Sequence, residues 1–153
     1  MIALISGCKP KKAQLRIGDP PPAVTLSDLK GNKVNMPADF KGKVVVIRFW
    51  ADWCPKCAEE MPVIDTIYKK YKDKGLVVLA VNTGQTKEKA EAFINNLNVS
   101  YPALLDTDTS IAKRYGVIGL PTTFIIDRSG AIKEKILGEA DRNAFEKSVS
   151  GLL

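Results

Sequence analysis

RFWADWCPKCAEEMP, residues 48–62, decides how this chain is read, because it carries Cys54 and Cys57, two of only three cysteines. The run that leads into it, KVVVIRFW (43–50), is apolar on both alternating faces, as in a strand of a sheet covered on both sides. Behind it, residues 55–73 read as a helix. Ile64, Ile67, Tyr68 and Tyr71 recur at helical spacing, and Pro62 is expected to bend the helix or delay its start. Pro55 suits the first helical position. Cys54 therefore falls at the N-cap, where its sulfur faces unpaired backbone N–H groups and the positive end of the helix dipole. Both favour a thiolate, and Lys56 adds a positive charge nearby. Cys57 lies one turn deeper, within reach for a disulfide and less exposed. Thiol–disulfide exchange fits this layout: Cys54 attacks a partner disulfide and Cys57 resolves the mixed disulfide. A fixed disulfide and half a zinc site compete with it. A zinc site needs about four ligands, and the chain offers no histidine and one other, distant cysteine.

The same stretch holds Arg48 and Glu60. In the strand, residues 44, 46, 48 and 50 share one face. If both faces are covered, Arg48 needs a partner, because an isolated buried charge is too costly. Glu60 is the nearest acidic side chain on the helix that points the same way as Cys57. An Arg48–Glu60 pair is therefore expected beneath the cysteines. Glu60 then serves as an anchor for Arg48 or as a proton-transfer group for Cys57. The competing reading lets Arg48 extend its long stem past the sheet edge to water.

Outward from this stretch the elements alternate. AVTL (23–26) and KVNM (33–36) flank a Lys30-Gly31-Asn32 turn and predict a hairpin. LVVLAVN (76–82) predicts another buried strand. Ala90, Phe93, Ile94 and Leu97 give one face of a helix over 86–97. ALL (103–105) predicts a short strand, and Asp108 is expected to cap a helix ending at Gly116. TTFIID (122–127) and AIKEKIL (131–137) form a second hairpin around Arg128-Ser129-Gly130. Asp141 caps a last helix with Phe145, Val149 and Leu152 inward. This order predicts one α/β domain: a mixed central sheet, helices on both faces, and an active loop at a strand's carboxyl end.

Composition narrows the function. Of 153 residues, 45% are hydrophobic, enough for a core, and the net charge is +6. No tight Lys/Arg block with interleaved aromatics points to nucleic acid. The lack of histidine excludes His-based acid–base chemistry and His metal ligation. No metal or cofactor is called for.

Cys8 sits apart, in MIALISGCKPKK. Ile5-Ser6-Gly7-Cys8 resembles a bacterial lipobox, whose cysteine becomes lipidated. The apolar run before it, Met1 to Ile5, is shorter than the ~7–15 residues of an export signal, and a basic start is missing. A shortened start and a short apolar N-terminus on a soluble protein both remain open, and the lipobox favours a lipoprotein. Residues 9–22, with four prolines, read as a tether. Residues 1–17 are thus expected to be a signal-like segment and tether, and 18–153 the domain.

FWADWCPKCAEEMP, the hairpin ahead of strand 43–50, the extra segment 83–105 and GVIGLPTTFIID together resemble the thioredoxin-like superfamily. Within it they resemble the TlpA/ResA-like branch of extracytoplasmic thiol-disulfide oxidoreductases, of redoxin (AhpC/TSA) type. The likeness runs from about residue 18 to the end. It implies that Pro121 is a cis-proline beside the cysteine pair, and that Leu120's backbone is free to pair with a substrate strand. Trp53, Pro55 and Lys56 are implied to contact the substrate. Glu60 matches the acidic residue this branch carries three positions after its second cysteine. Arg48 departs from the pattern, standing where thioredoxins usually have Asp and this branch Asn, which marks it as a tuning residue. Pro55-Lys56 also replaces the commoner dipeptides ending in Pro. The implied function is disulfide reduction in cell-envelope proteins, including apocytochromes with CxxCH sites. The implied partners are those substrates and a membrane or soluble thiol-disulfide donor, for a monomer held outside the cytoplasm by a lipid anchor. Two alternatives share the fold. A peroxidase would carry Thr or Ser three residues before its attacking cysteine, where this chain has Ala51. A copper metallochaperone uses a wider cysteine spacing and a distant histidine.

Overall fold

A computed structural model of the chain describes residues 14–153. Cys8 and the lipobox-like segment lie outside the described residues. The strands are β1 (Val24–Asp28), β2 (Lys33–Met36), β3 (Val44–Trp50), β4 (Leu76–Thr83), β5 (Ala103–Asp106), β6 (Thr122–Ile126) and β7 (Ile132–Leu137). The helices are α1 (Pro55–Tyr71), α2 (Lys87–Leu97), α3 (Ser110–Arg114) and α4 (Arg142–Ser150). The seven strands form one mixed sheet in the order β2-β1-β5-β4-β3-β6-β7. β3, β4 and β5 run parallel, and the two hairpins close the sheet with antiparallel strands.

β3 is buried along its whole length, and its alternation sorts the core into two layers. Val44, Val46 and Trp50 face α1, α2 and α4, packing with Met61, Ile64, Ile67, Ala90, Ile94, Phe145 and Val149. Val45, Ile47 and Phe49 face the other way, toward Ile111 and Ala112 of α3, Tyr115 and Phe124. Phe49, Tyr115 and Phe124 meet edge-on or tilted, with centroids 5.4 to 6.2 Å apart. Helices thus cover both faces, as the alternating pattern requires.

Several local expectations need correcting. α1 is not delayed by Pro62: it starts at Pro55 and runs past the proline to Tyr71, where a 3-10 turn and Gly75 in the left-handed region end it. α3 takes its caps from two aspartates rather than from Asp108 alone. Asp108 accepts the Ser110 N–H, while the buried Asp106 accepts the N–H groups of Ile111 and Ala112 at 3.0 and 2.8 Å. A carboxylate buried at the end of β5 needs donors, and the orphan N–H groups of α3 supply them. α3 also stops at Arg114, two residues before Gly116. The tether reading fails for residues 18–22. Gly18 and Asp19 bond to both sides of Ile132, and the Pro22 carbonyl accepts the Tyr115 hydroxyl at 3.0 Å. Asp141 caps α4 as expected, accepting the Ala144 N–H at 2.8 Å.

Candidate active site

Phe49 of β3 pairs with Thr122 of β6, so the residues after Phe49 and those before Thr122 meet at one end of the sheet. Cys54 and Pro121 belong to those two segments. Cys54 is the N-cap of α1, in extended conformation, with Pro55 at the first helical position. Its sulfur accepts the Cys57 N–H at 3.3 Å, the contact that the N-cap reading requires. Cys54 and Cys57 are joined as a disulfide with Cα atoms 5.3 Å apart. Cys57 is fully buried, and Cys54 is 4% exposed. Trp53, beside it, stands 67% exposed.

Leu120-Pro121 is a cis peptide, as is Met36-Pro37, which the sequence did not signal. The Pro121 carbonyl accepts the Gly138 N–H at 2.8 Å. Among the described residues, the N–H and C=O of Leu120 make no backbone hydrogen bond. Ile118, two residues earlier, is 89% exposed. Exposed apolar side chains thus stand on both segments at the cysteine end of the sheet. Ile118 was missed in the sequence, because apolar periodicity does not mark a loop residue.

The Arg48–Glu60 pair is present, and Arg48 does not reach water. Its guanidinium is fully buried, with Nη2 donating to Glu60 Oε2 and Nη1 to Thr123 Oγ1 at 3.0 Å. The second Glu60 oxygen accepts the Ala140 N–H at 2.9 Å. Glu60 therefore ties α1 to β3 and to the loop before α4. It also borders a cleft of about 280 Å³ between α1 and α4, lined by Glu59, Ala140 and Phe145 among others. Neither Thr123 nor Ala140 carried a sequence signal: one is an ordinary strand residue, and the other contributes only its backbone.

Lys56, two residues after Cys54, is paired on the surface. Its ammonium turns to Glu59 at 3.1 Å and Glu139 at 3.4 Å, so its charge is shared with two carboxylates. The hydrogen bond it donates to Glu59, with the Glu139 charge behind it, holds this ammonium above the ordinary lysine range.

On the other side of the cysteine loop, Asp52, Asn82 and Gln85 form a cluster. The Asp52 N–H and Asn82 Nδ2 both donate to Gln85 Oε1 at 2.9 Å, and Gln85 Nε2 donates to Asp52 Oδ1. Sequence reasoning missed all three residues. Beside them Trp50 stacks on Phe93 of α2, centroids 5.0 Å apart.

A mixed sheet with a cysteine pair at the N-terminus of one helix and a cis-proline at the same sheet end defines a thioredoxin-like redox protein. The profile of the AhpC/TSA family matches residues 17–135. The chain is 36% identical over 144 residues to the thiol-disulfide oxidoreductase ResA of Bacillus thuringiensis subsp. konkukian, covering 94% of this chain and 83% of that protein. Its structure resembles that of a Chlorobium tepidum protein provisionally named thiol:disulfide interchange protein DsbE. That match has a TM-score of 0.86 and 32% identity, over 91% of this chain and 99% of the other. The thioredoxin domain of a Bacteroides vulgatus thiol-disulfide oxidoreductase matches with a TM-score of 0.78 and 33% identity, over 89% and 99%. This chain belongs to the AhpC/TSA family, on its ResA-like, thioredoxin-fold side.

Proposed function

We propose that this thiol-disulfide oxidoreductase works as a reductant of disulfides in proteins outside the cytoplasm. The Cys54 thiolate attacks one sulfur of a substrate disulfide, forming a mixed disulfide and releasing the other substrate sulfur as a thiolate. Cys57 then loses its proton and attacks Cys54. The Cys54–Cys57 disulfide forms, the second substrate thiolate leaves, and the substrate gains two electrons and two protons. A dithiol donor returns the pair to its reduced form. The observation that carries this reading is the cysteine pair at the α1 N-terminus, at the same sheet end as Leu120. An extended substrate segment would pair with the free Leu120 backbone, with Trp53, Pro55 and Lys56 around it. Glu60 would anchor Arg48 or exchange a proton with Cys57.

Apocytochromes with an oxidised CxxCH site are one substrate class that fits, as in the cytochrome c maturation proposed for this branch. Residues 1–17 would act as signal-like segment and tether, and Cys8 as the lipidation site of a monomer anchored to the membrane. Among the described residues no helix is long and apolar enough to cross a membrane. The peroxidase alternative gains no support at Ala51, which brings no hydroxyl to the site. Reduction of insulin and of an oxidised CxxCH peptide by the dithiol protein, with peroxide turnover measured alongside, tests the activity. Peroxide turnover without disulfide reduction overturns the reading. Mass spectrometry of the native protein tests Cys8: an unmodified segment in a soluble fraction rules the anchor out.

A further inference from the structure

We propose that Gln85 is a positioning residue for the attacking cysteine. The proposal rests on the exchange reading above and extends it to a residue outside the cysteine loop. Gln85 lies between β4 and α2 and is 8% exposed. Both ends of its amide are committed. Its oxygen accepts from the Asp52 N–H and from Asn82 Nδ2, each at 2.9 Å, and its nitrogen donates to the Asp52 carboxylate. The result is a closed ring: backbone and side chain of one residue grip the two ends of one amide. Asn82 sets the orientation of that amide from the sheet, where it pairs with Trp50.

The ring matters because Asp52 leads directly into Trp53 and Cys54. The one other backbone bond within this turn is from the Cys54 N–H to the Ala51 carbonyl, at 3.3 Å. The position of the Cys54 sulfur over the first turn of α1 thus depends on a turn clasped from outside by Gln85. Exchange needs the three sulfurs in line, and small misplacements of reacting atoms are expensive. The clasp also gives the extra segment 83–105 a role, since that segment delivers the clamp to the nucleophile.

The test uses Gln85→Glu, which keeps the shape but sets a carboxylate against the Asp52 carboxylate. Two carboxylates in such contact cannot both ionise freely, so the ring should open at neutral pH and close again once they share a proton. The rate of Cys54 modification by iodoacetamide and by glutathione disulfide is measured in reduced wild type and variant. The variant is expected to be about tenfold slower at neutral pH, with the ratio to wild type recovering as pH falls toward about 5. The swap Asp52→Asn with Gln85→Glu restores a donor opposite the new carboxylate and should bring the rate back to within about twofold. Gln85→Met, which cannot titrate, should be slowed at all pH values alike and serves if Gln85→Glu does not fold. Variant rates within about twofold of wild type at every pH, or a Gln85→Glu deficit that neither pH nor the swap relieves, overturn the role of Gln85. In that case wild-type Cys54 still reacts ahead of Cys57. A wild type in which Cys57 reacts first overturns the exchange reading, and this inference with it.

Discussion

The two cysteines stand on different foundations. Beneath Cys57, on the same helix face, lies a buried ion pair, Arg48 and Glu60, to which Thr123 and the Ala140 N–H are also bonded. Beside Cys54 lies the Gln85–Asp52–Asn82 ring, which rests on a neutral amide and reaches the surface through Asp52. The first support is deep and charged, and the second is shallow and mainly polar. A buried ion pair seldom adds stability compared with well-packed apolar residues, because its desolvation cancels the attraction. We propose that Arg48 is buried for the charge it brings to the site rather than for the stability it adds. Its guanidinium offsets the Glu60 carboxylate, so no uncompensated negative charge lies under a thiol that must ionise during exchange.

The largest effect should come from breaking the exchange itself. Cys57→Ser leaves Cys54 able to attack but removes the group that resolves the mixed disulfide. Substrates should accumulate covalently on Cys54, and turnover should fall to background in the insulin assay. The reverse pattern, with Cys57 trapping substrate in a Cys54→Ser protein, would exchange the two roles.

Next in size is the deep support. Arg48→Ala strands a carboxylate in the core and should cost about 3–5 kcal/mol in urea unfolding of the oxidised protein. Removing both charges, as Arg48→Met with Glu60→Leu, should recover most of that loss while shifting the thiol–disulfide equilibrium with glutathione. A double variant with unchanged stability and unchanged equilibrium would reduce the pair to packing. By the same logic Gln85→Met should slow Cys54 and leave that equilibrium nearly untouched.

Legibility in the sequence divides along the same line. Arg48–Glu60 could be read ahead of the structure, because strand alternation and helix spacing fix which way each side chain points and a buried charge demands a partner. The N-cap position of Cys54 followed from Pro55 in the same way. The Gln85 ring could not be read. It joins residues 33 positions apart through a loop, where no periodicity sets direction. The caps of α3 were half visible, because Asp108 adjoins the helix while Asp106 reaches it from a strand end. Residues 18–22 looked like tether by composition, but their backbone bonds hold them against β7 and Tyr115.

A smaller effect is expected at Asp65, far from exchange but on the same helix as Cys57. Burial pushes its carboxyl up, and the hydrogen bonds from Lys69 and Ser100 outweigh it and leave the group below the ordinary range. A lowered carboxyl stabilises the fold above the unfolded value of about 3.9, and this contribution is lost as pH falls through the lower folded value. Asp65→Asn should therefore cost about 2 kcal/mol near neutral pH, and the deficit should shrink as the medium becomes acidic. Thermal melts of both proteins across that range measure it. A deficit that grows in acid would reverse the sign.

The smallest effect tests whether the exposed side of the site binds anything. Ile118 is 89% exposed, two residues before the free Leu120 backbone, and contributes almost nothing to folding in that position. If a substrate segment lies along Leu120, it covers part of Ile118, and full burial of such a side chain contributes about 1.5–3 kcal/mol. Partial coverage, at about 1 kcal/mol, corresponds to roughly a fivefold rise in KM for Ile118→Ser with a peptide disulfide. The contact would be made in the ground and transition states alike, so kcat should hold. Small disulfides such as glutathione disulfide, which cannot span from Cys54 to Ile118, should react at the wild-type rate. The contrast between peptide and glutathione is the decisive reading. Equal loss with both would mean that Ile118 shapes the loop, and no loss with either would place the substrate elsewhere on the cysteine end.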